Sequence, residues 1–286
     1  MSAARTLAVI RAGLLTTVQD RGRWGHQASG VPVAGPMDLT SHDAANTAVG
    51  NDKSAATLEV TIVGPELRFE TPAVVAIAGA DLGAALDGVP LLLNQPQAAA
   101  AGSILRFGQR RRGARAYVAV EGGIDAPMVL GSRATHAADG FGRPLAAGDV
   151  VPLGAAHGRT GMTPITRDVP SGGGRVRVRR GPQADGVPED AFITLTTARF
   201  VVGSQSNRMG YRLSGPAVSL GERPPMISDV TFMGGIQITP SGEAILLMAD
   251  RQTTGGYPQI ATVITADLPV VGQLAPGDWI EFEIQA

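Results

Sequence analysis

The chain has 286 residues, 44% of them apolar and 17% charged, with 38 glycines, 20 prolines and a net charge of −1. That length accommodates two domains with sizeable cores, and the wealth of turn residues marks a strand-rich globular protein rather than a disordered one. The charge balance offers no basic excess for nucleic acid, and the absence of cysteine removes disulfides, thiolate nucleophiles and Cys-ligated metals together.

No run of 18 apolar residues suits a membrane span, and Met1–Leu15 lacks the apolar stretch of a signal peptide, so a cytoplasmic location is expected. Lys53 is the single lysine, and no Gly-x-x-x-x-Gly-Lys phosphate loop can be written around it; nor is there a Met-Lys-Met biotin attachment site.

In chain order, residues 8–38 are rich in glycine and proline and read as one long, ordered loop carrying Trp24. Asp38 offers an N-cap, Ala44, Ala45, Ala48 and Val49 form an apolar stripe, and Gly50-Asn51 supplies a stop, so Leu39–Val49 reads as a helix. His42 lies on it without a second ligand at position 46, which points to a solvated or capping histidine, and no histidine shows metal-ligand spacing. From Leu58 the pattern turns to short strands (58–63, 74–78, 104–107, 117–120) ending in glycine-rich turns, as in a sandwich or barrel.

Gly154–Gly174 has no apolar periodicity and reads as a linker, giving a first domain of 1–160 and a second of 161–286. The second opens on Arg175-Val176-Arg177-Val178-Arg179, an alternation with one buried face and arginines in water. A short helix over 188–195, strands at 199–202, 244–249, 260–265 and 279–284, and intervening loops complete it. Two echoes link the halves: Leu145-Ala146-Ala147-Gly148-Asp149 with Leu274-Ala275-Pro276-Gly277-Asp278, and Asp20-Arg21 with Asn207-Arg208.

Three clusters are polar beyond the needs of turns: Gln19-Asp20-Arg21-Gly22-Arg23, Ser206-Asn207-Arg208 with Tyr211, and the loop Asp250-Arg251-Gln252-Thr253-Thr254-Gly255-Gly256-Tyr257. Each pairs an acid or amide with arginine, whose planar fork grips carboxylate, carbamate or phosphate. Such a set suits a small planar anionic or amide ligand, with Asp20 or Asp250 as the available general base. The alternative for the third cluster is a two-glycine turn in which Asp250 and Arg251 pair with neighbours. No Gly-x-Ser-x-Gly, His-Glu-x-x-His or strand-linked Gly-x-Gly-x-x-Gly is present, which argues against a self-contained hydrolase, zincin or dinucleotide enzyme.

At these residues the chain resembles the allophanate hydrolase subunit 2 family, also called KipA or the 5-oxoprolinase C subunit, and the carboxyltransferase part of urea carboxylase. The matching phrases include Thr17-Val18-Gln19-Asp20-Arg21-Gly22-Arg23, Val49-Gly50-Asn51, Gly131-Ser132-Arg133, Arg179-Arg180-Gly181-Pro182-Gln183, Ser206-Asn207-Arg208-Met209-Gly210-Tyr211-Arg212-Leu213, Gly235-Ile236-Gln237 and Asp250–Pro258. The resemblance implies a mainly β fold of two cyclophilin-like β-barrel units with a few short helices. It also implies a component of an ATP-dependent 5-oxoprolinase, inactive alone, that works with two others: an A subunit, plus a B subunit of the KipI or allophanate hydrolase subunit 1 type. ATP would bind in the complex rather than at an assigned site here; biotin enters only under the alternative of a biotin-dependent carboxyltransferase, and a third reading is a KipA-type antikinase-associated binding protein. The expected catalytic residues are Asp20, Asp250 and Arg251. The expected substrate contacts are Gln19, Arg23, Asn207, Arg208, Tyr211, Gln252, Thr254 and Tyr257, with no metal.

Overall fold

The computed structural model describes residues 4–159, 161–222 and 226–285. The chain divides into two compact units, Met1–Trp24 with Ala34–Val169, and Gly25–Val33 with Pro170–Ala286.

The first unit is built from two sheets that close on one apolar core. One sheet has six strands in the order Val150–Pro152, Thr6–Arg11, Glu66–Phe69, Ile104–Arg106, Ala85–Leu86 and Val89–Pro90. The other has five, in the order Leu15–Gln19, Thr57–Thr61, Arg112–Val120, Ala73–Asp81 and Gln97–Ala99. Because side chains alternate along a strand, Val75 and Ile77 of Ala73–Asp81 enter the core with Leu58, Val60 and Phe69, while Ala76 and Ala78 face the other way. There they meet the helix Leu39–Ala48 through Ala44, Ala45 and Ala48, a contact of small side chains that lets helix and sheet approach closely. Asp38 caps this helix by accepting from Ser41 N at 3.0 Å, as its sequence position requires.

Two expectations are corrected here. The stretch 8–38 is not one long loop, because Thr6–Arg11 and Leu15–Gln19 are strands; only the part after Gln19 is irregular, and Trp24 within it is 65% exposed. Thr16, Thr17, Val18 and Gln19 are all buried, so this strand shows no alternation that would mark it in the sequence. His42 is neither solvated nor a cap but fully buried, with Nδ1 3.0 Å from Thr57 Oγ1 and Nε2 3.1 Å from Lys53 O. A carbonyl only accepts, so Nε2 carries the proton and the Thr57 hydroxyl donates to Nδ1.

Burial holds the His42 pKa below its ordinary 6.5. The unfolded chain therefore takes up this proton first, and the stability His42 contributes is present above about pH 6.5 and lost as the pH falls below it, at up to about 1.4 kcal/mol per pH unit. Urea denaturation from pH 7.5 to 5 should show this slope in the native protein and a shallower one in His42→Gln; equal slopes would contradict it.

The second unit is a closed barrel of seven strands, ordered Gly173–Arg180, Gln259–Val263, Gly235–Ile238, Ala244–Leu247, Gly210–Ser214, Arg199–Val202 and Trp279–Ile284. Closure comes from the parallel pairing of Gly173–Arg180 with Trp279–Ile284, running from Gly173 opposite Trp279 to Val178 opposite Ile284. Val176 and Val178 are buried, while Arg175, Arg177 and Arg179 point outward, and Arg177 forms a two-pronged ion pair with Asp267. The helix Glu189–Thr197 and a short helix Leu268–Gly272 complete the unit.

Both sequence echoes correspond to shared local structure. Asp149 Oδ2 accepts from Ala146 N at 2.8 Å and Asp278 Oδ2 from Ala275 N at 2.9 Å, and each turn passes through a left-handed glycine, Gly148 or Gly277, into a strand. Asp20 Oδ1 accepts from Gly22 N at 2.9 Å, and Asn207 Oδ1 from Met209 N at 2.8 Å, the same side-chain-to-backbone turn in each unit.

Candidate functional site

The loop Asp250–Tyr257 leaves the barrel at the end of the buried strand Ala244–Leu247. Its first residues run beside the Asn207–Met209 turn, with Met248 N donating to Met209 O at 3.0 Å and Asp250 N to Arg208 O at 2.8 Å. This brings the second and third polar clusters together. Arg208 donates through Nε to Asp250 Oδ2 at 2.9 Å and through Nη2 to Asp250 Oδ1 at 2.8 Å, a fork-to-fork pair whose side chains are only 8% and 14% exposed. The pair neutralises itself and fixes the loop's entry.

Arg251 is different. Among the described residues it has no carboxylate within ion-pair distance, and its guanidinium makes only two long contacts, Nε to Thr231 O and Nη1 to Met248 O, both 3.4 Å. Burial alone lowers its pKa, with no neighbouring charge to offset it. A cation that is partly desolvated and has no counter-ion is an anion receptor in waiting, since an arriving carboxylate is attracted more strongly there than in water. Gln252, Thr254 and Tyr257 follow it on the exposed side of the loop.

The rest of the loop is pinned from below by residues outside the three polar clusters. Thr231 Oγ1 donates to Gln252 O, Gln237 Nε2 to Tyr257 O at 3.2 Å, and Gln259 Nε2 to Val230 O at 2.7 Å; all three residues are buried. The signal of Gln237 and Gln259 in the sequence is an amide set among strand-forming apolar residues, where a hydrogen-bonded glutamine is tolerated. Gly255 follows from the same packing, because a methyl group there would stand 2.6 Å from Gln237 Nε2.

Other expected site residues face the protein's own backbone. The Tyr211 hydroxyl is buried beside Val271 O and Leu274 O, each at 3.3 Å. In the first unit, Gln19 is fully buried and donates to Thr17 Oγ1 and Thr135 O. Arg23, 1% exposed, donates to Val129 O and Ala134 O at 2.9 Å each while lying 4.3 Å over the Phe141 ring. Asp20 accepts from Ser132 Oγ at 2.5 Å, Arg133 N at 2.6 Å and Gly22 N at 2.9 Å. It borders a cavity of about 440 Å³ that Arg21, Ser54, Asp125 and Arg133 also line. With three donors on one carboxylate, Asp20→Ala should cost on the order of 3 kcal/mol in thermal or urea unfolding, since the buried donors lose a charged acceptor. A loss below about 1 kcal/mol would contradict this bonding.

Among the described residues there is no group of three or more side chains able to hold a metal, and no helix is long and apolar enough to cross a membrane.

Comparison with known proteins gives these features a setting. A family model described as carboxyltransferase domain, subdomain A and B, matches residues 29–284. The C subunit of 5-oxoprolinase from Escherichia coli (strain K12) is 38% identical over 283 residues, which cover 96% of this chain and 90% of the relative. The urea amidolyase of Saccharomyces cerevisiae is 32% identical over 295 residues, covering 94% of this chain but 16% of that longer protein. The crystal structure of Kluyveromyces lactis urea carboxylase is similar with a TM-score of 0.93 at 31% identity, over 100% of this chain and 28% of the other.

Proposed function

The chain belongs to the carboxyltransferase domain family, subdomains A and B, and on that premise we propose that it is the C subunit of an ATP-dependent 5-oxoprolinase, which opens 5-oxo-L-proline to L-glutamate together with the A and B subunits. The observation that carries this reading is Arg251, a partly desolvated guanidinium with no carboxylate within ion-pair distance among the described residues. 5-Oxo-L-proline presents one carboxylate and one ring amide. Arg251 takes the carboxylate through its planar fork, and Gln252, Thr254 and Tyr257, together with Asn207, offer the donors and acceptors that fix the amide. The Arg208–Asp250 pair holds these groups in register, and Asp250, 14% exposed, is the carboxylate placed nearest to them in the chain.

ATP supplies the driving force for opening the amide in the complex. No Gly-x-x-x-x-Gly-Lys phosphate loop can be written around Lys53, and no ATP site is assigned to this chain. The family match and the urea amidolyase relative favour a second reading, a carboxyltransferase served by biotin carried on another protein.

The two are separated by reconstituting the chain with its A and B subunits. ATP-dependent release of glutamate from 5-oxoproline supports the first reading. Absence of turnover, with carboxyl transfer from a biotinylated carrier domain instead, would replace it with the second.

A further inference from the structure

Beside the Asp250–Tyr257 loop runs a second segment, residues 229–232, and Thr231 within it gives all three of its polar groups to the loop. Thr231 N donates to Thr253 O at 3.0 Å, Oγ1 donates to Gln252 O, and Thr231 O accepts from Arg251 Nε at 3.4 Å. Just before it, Asp229 and Val230 pair in a short antiparallel ladder with Gly255 and Thr254. The loop is thus shaped against Thr231, which also makes one of the two contacts of the Arg251 guanidinium.

Thr231 is itself held by one side chain. Gln259, 1% exposed, donates through Nε2 to Val230 O at 2.7 Å and accepts at Oε1 from Phe232 N at 3.3 Å, so its amide clamps the peptide groups on both sides of Thr231. A primary amide offers that donor and acceptor side by side, which neither a carboxylate nor an apolar side chain does. Gln259 is fixed in turn by Gln183, whose Oε1 accepts from Gln259 N at 3.0 Å and whose Nε2 donates to Asp229 Oδ2 at 2.8 Å. Two glycines keep the space clear. A methyl group at Gly235 would stand 2.6 Å from Gln259 Oε1, and one at Gly181 would overlap Gln259 O.

We propose that Thr231 and Gln259 are positioning residues for Arg251: Gln259 sets the peptides around Thr231, and Thr231 sets the loop and the guanidinium that receives the substrate's carboxylate. This rests on the reading of Arg251 as that receptor, and both residues act through it rather than on the substrate. The need for such a device follows from the arginine's own surroundings. With no carboxylate within ion-pair distance among the described residues, no ion pair orients the guanidinium, yet its fork makes two parallel bonds to a carboxylate only when correctly aimed. Gly181 and Gln183, in the phrase Arg179–Gln183, and Gly235, in Gly235-Ile236-Gln237, serve the loop through Gln259.

Thr231→Val, which keeps the side-chain shape and removes the hydroxyl, and Gln259→Leu test this. In the isolated chain the Arg251 Nε–H nuclear magnetic resonance signal, assigned by its loss in Arg251→Met, should shift in both variants and return in Thr231→Ser. In the reconstituted complex Thr231→Val should raise KM for 5-oxo-L-proline about tenfold with kcat within about twofold, and Thr231→Ser should restore it. In an Arg251→Met background Thr231→Val should raise KM no further, because a residue that acts through Arg251 has nothing left to act on. An unmoved signal or an unmoved KM in Thr231→Val would overturn the assignment. So would a KM effect that adds to that of Arg251→Met, or a fall in kcat alone, the mark of a merely structural residue. The Thr231 variants decide by themselves if Gln259→Leu fails to fold. A wild-type complex that assembles without turning over 5-oxo-L-proline would remove the proposed reaction instead, and the signal in the isolated chain would then decide the assignment.

Discussion

Asp250→Ala is expected to destabilise the second unit by about 3–5 kcal/mol, because it strips both charge-assisted bonds from an Arg208 side chain that is only 8% exposed. The loss should show up as a lower urea midpoint with little change in slope. In the double variant Arg208→Met/Asp250→Ala part of it should return, since the buried cation is gone and an apolar side chain of similar length fills the space. Asp250→Ala also removes the side-chain link between the loop and Arg208 of the neighbouring turn, so loss of activity in this variant mixes unfolding with chemistry. A cost under about 1 kcal/mol would mean that the pair is screened like a surface ion pair and does not organise the loop.

How far the sequence foretells this arrangement depends on the residue type. Alternation such as Arg175–Arg179 and the capped, alanine-striped helix after Asp38 are legible, because burial on one face leaves a period in the sequence. The two Asp-centred turns and the two Asx turns are legible as echoes for the same reason: a carboxylate or amide reaching back to a backbone N–H requires fixed local spacing. The early strands Thr6–Arg11 and Leu15–Gln19 are hidden because their partners, Glu66–Phe69 and Thr57–Thr61, are distant in sequence and supply the pairing.

The polar clusters illustrate the same limit. Asp20-Arg21-Gly22-Arg23 and Asp250-Arg251 look alike as sequence. Yet Arg23 is spent on carbonyls at 134 and 129 and Asp20 on donors at 132 and 133, whereas Arg251 has only two long contacts. Nothing local encodes that difference. His42 behaves likewise: its partners Thr57 and Lys53 lie beyond the helix, and only tertiary packing shows that it is buried.

Arg251→Met carries the second large expectation, and here stability and activity should part. Removing a partly desolvated cation with no counter-ion among the described residues should leave the thermal midpoint unchanged or raise it, because its burial cost disappears with it. Its loss should nevertheless remove about 3 kcal/mol of charge-assisted binding to a carboxylate, or about two orders of magnitude in kcat/KM. If the guanidinium grips the carboxylate equally in ground and transition states, the change falls on KM and leaves kcat nearly alone.

The most direct measurement is therefore the ATP-dependent turnover of 5-oxo-L-proline by the reconstituted three-subunit complex, with wild-type chain and with Arg251→Met, alongside thermal unfolding of each isolated chain. A KM raised about a hundredfold on an equally stable chain is the expected result. Unchanged kinetics in a folded Arg251→Met complex would show that the loop's unpaired arginine is not where the substrate's negative charge is held.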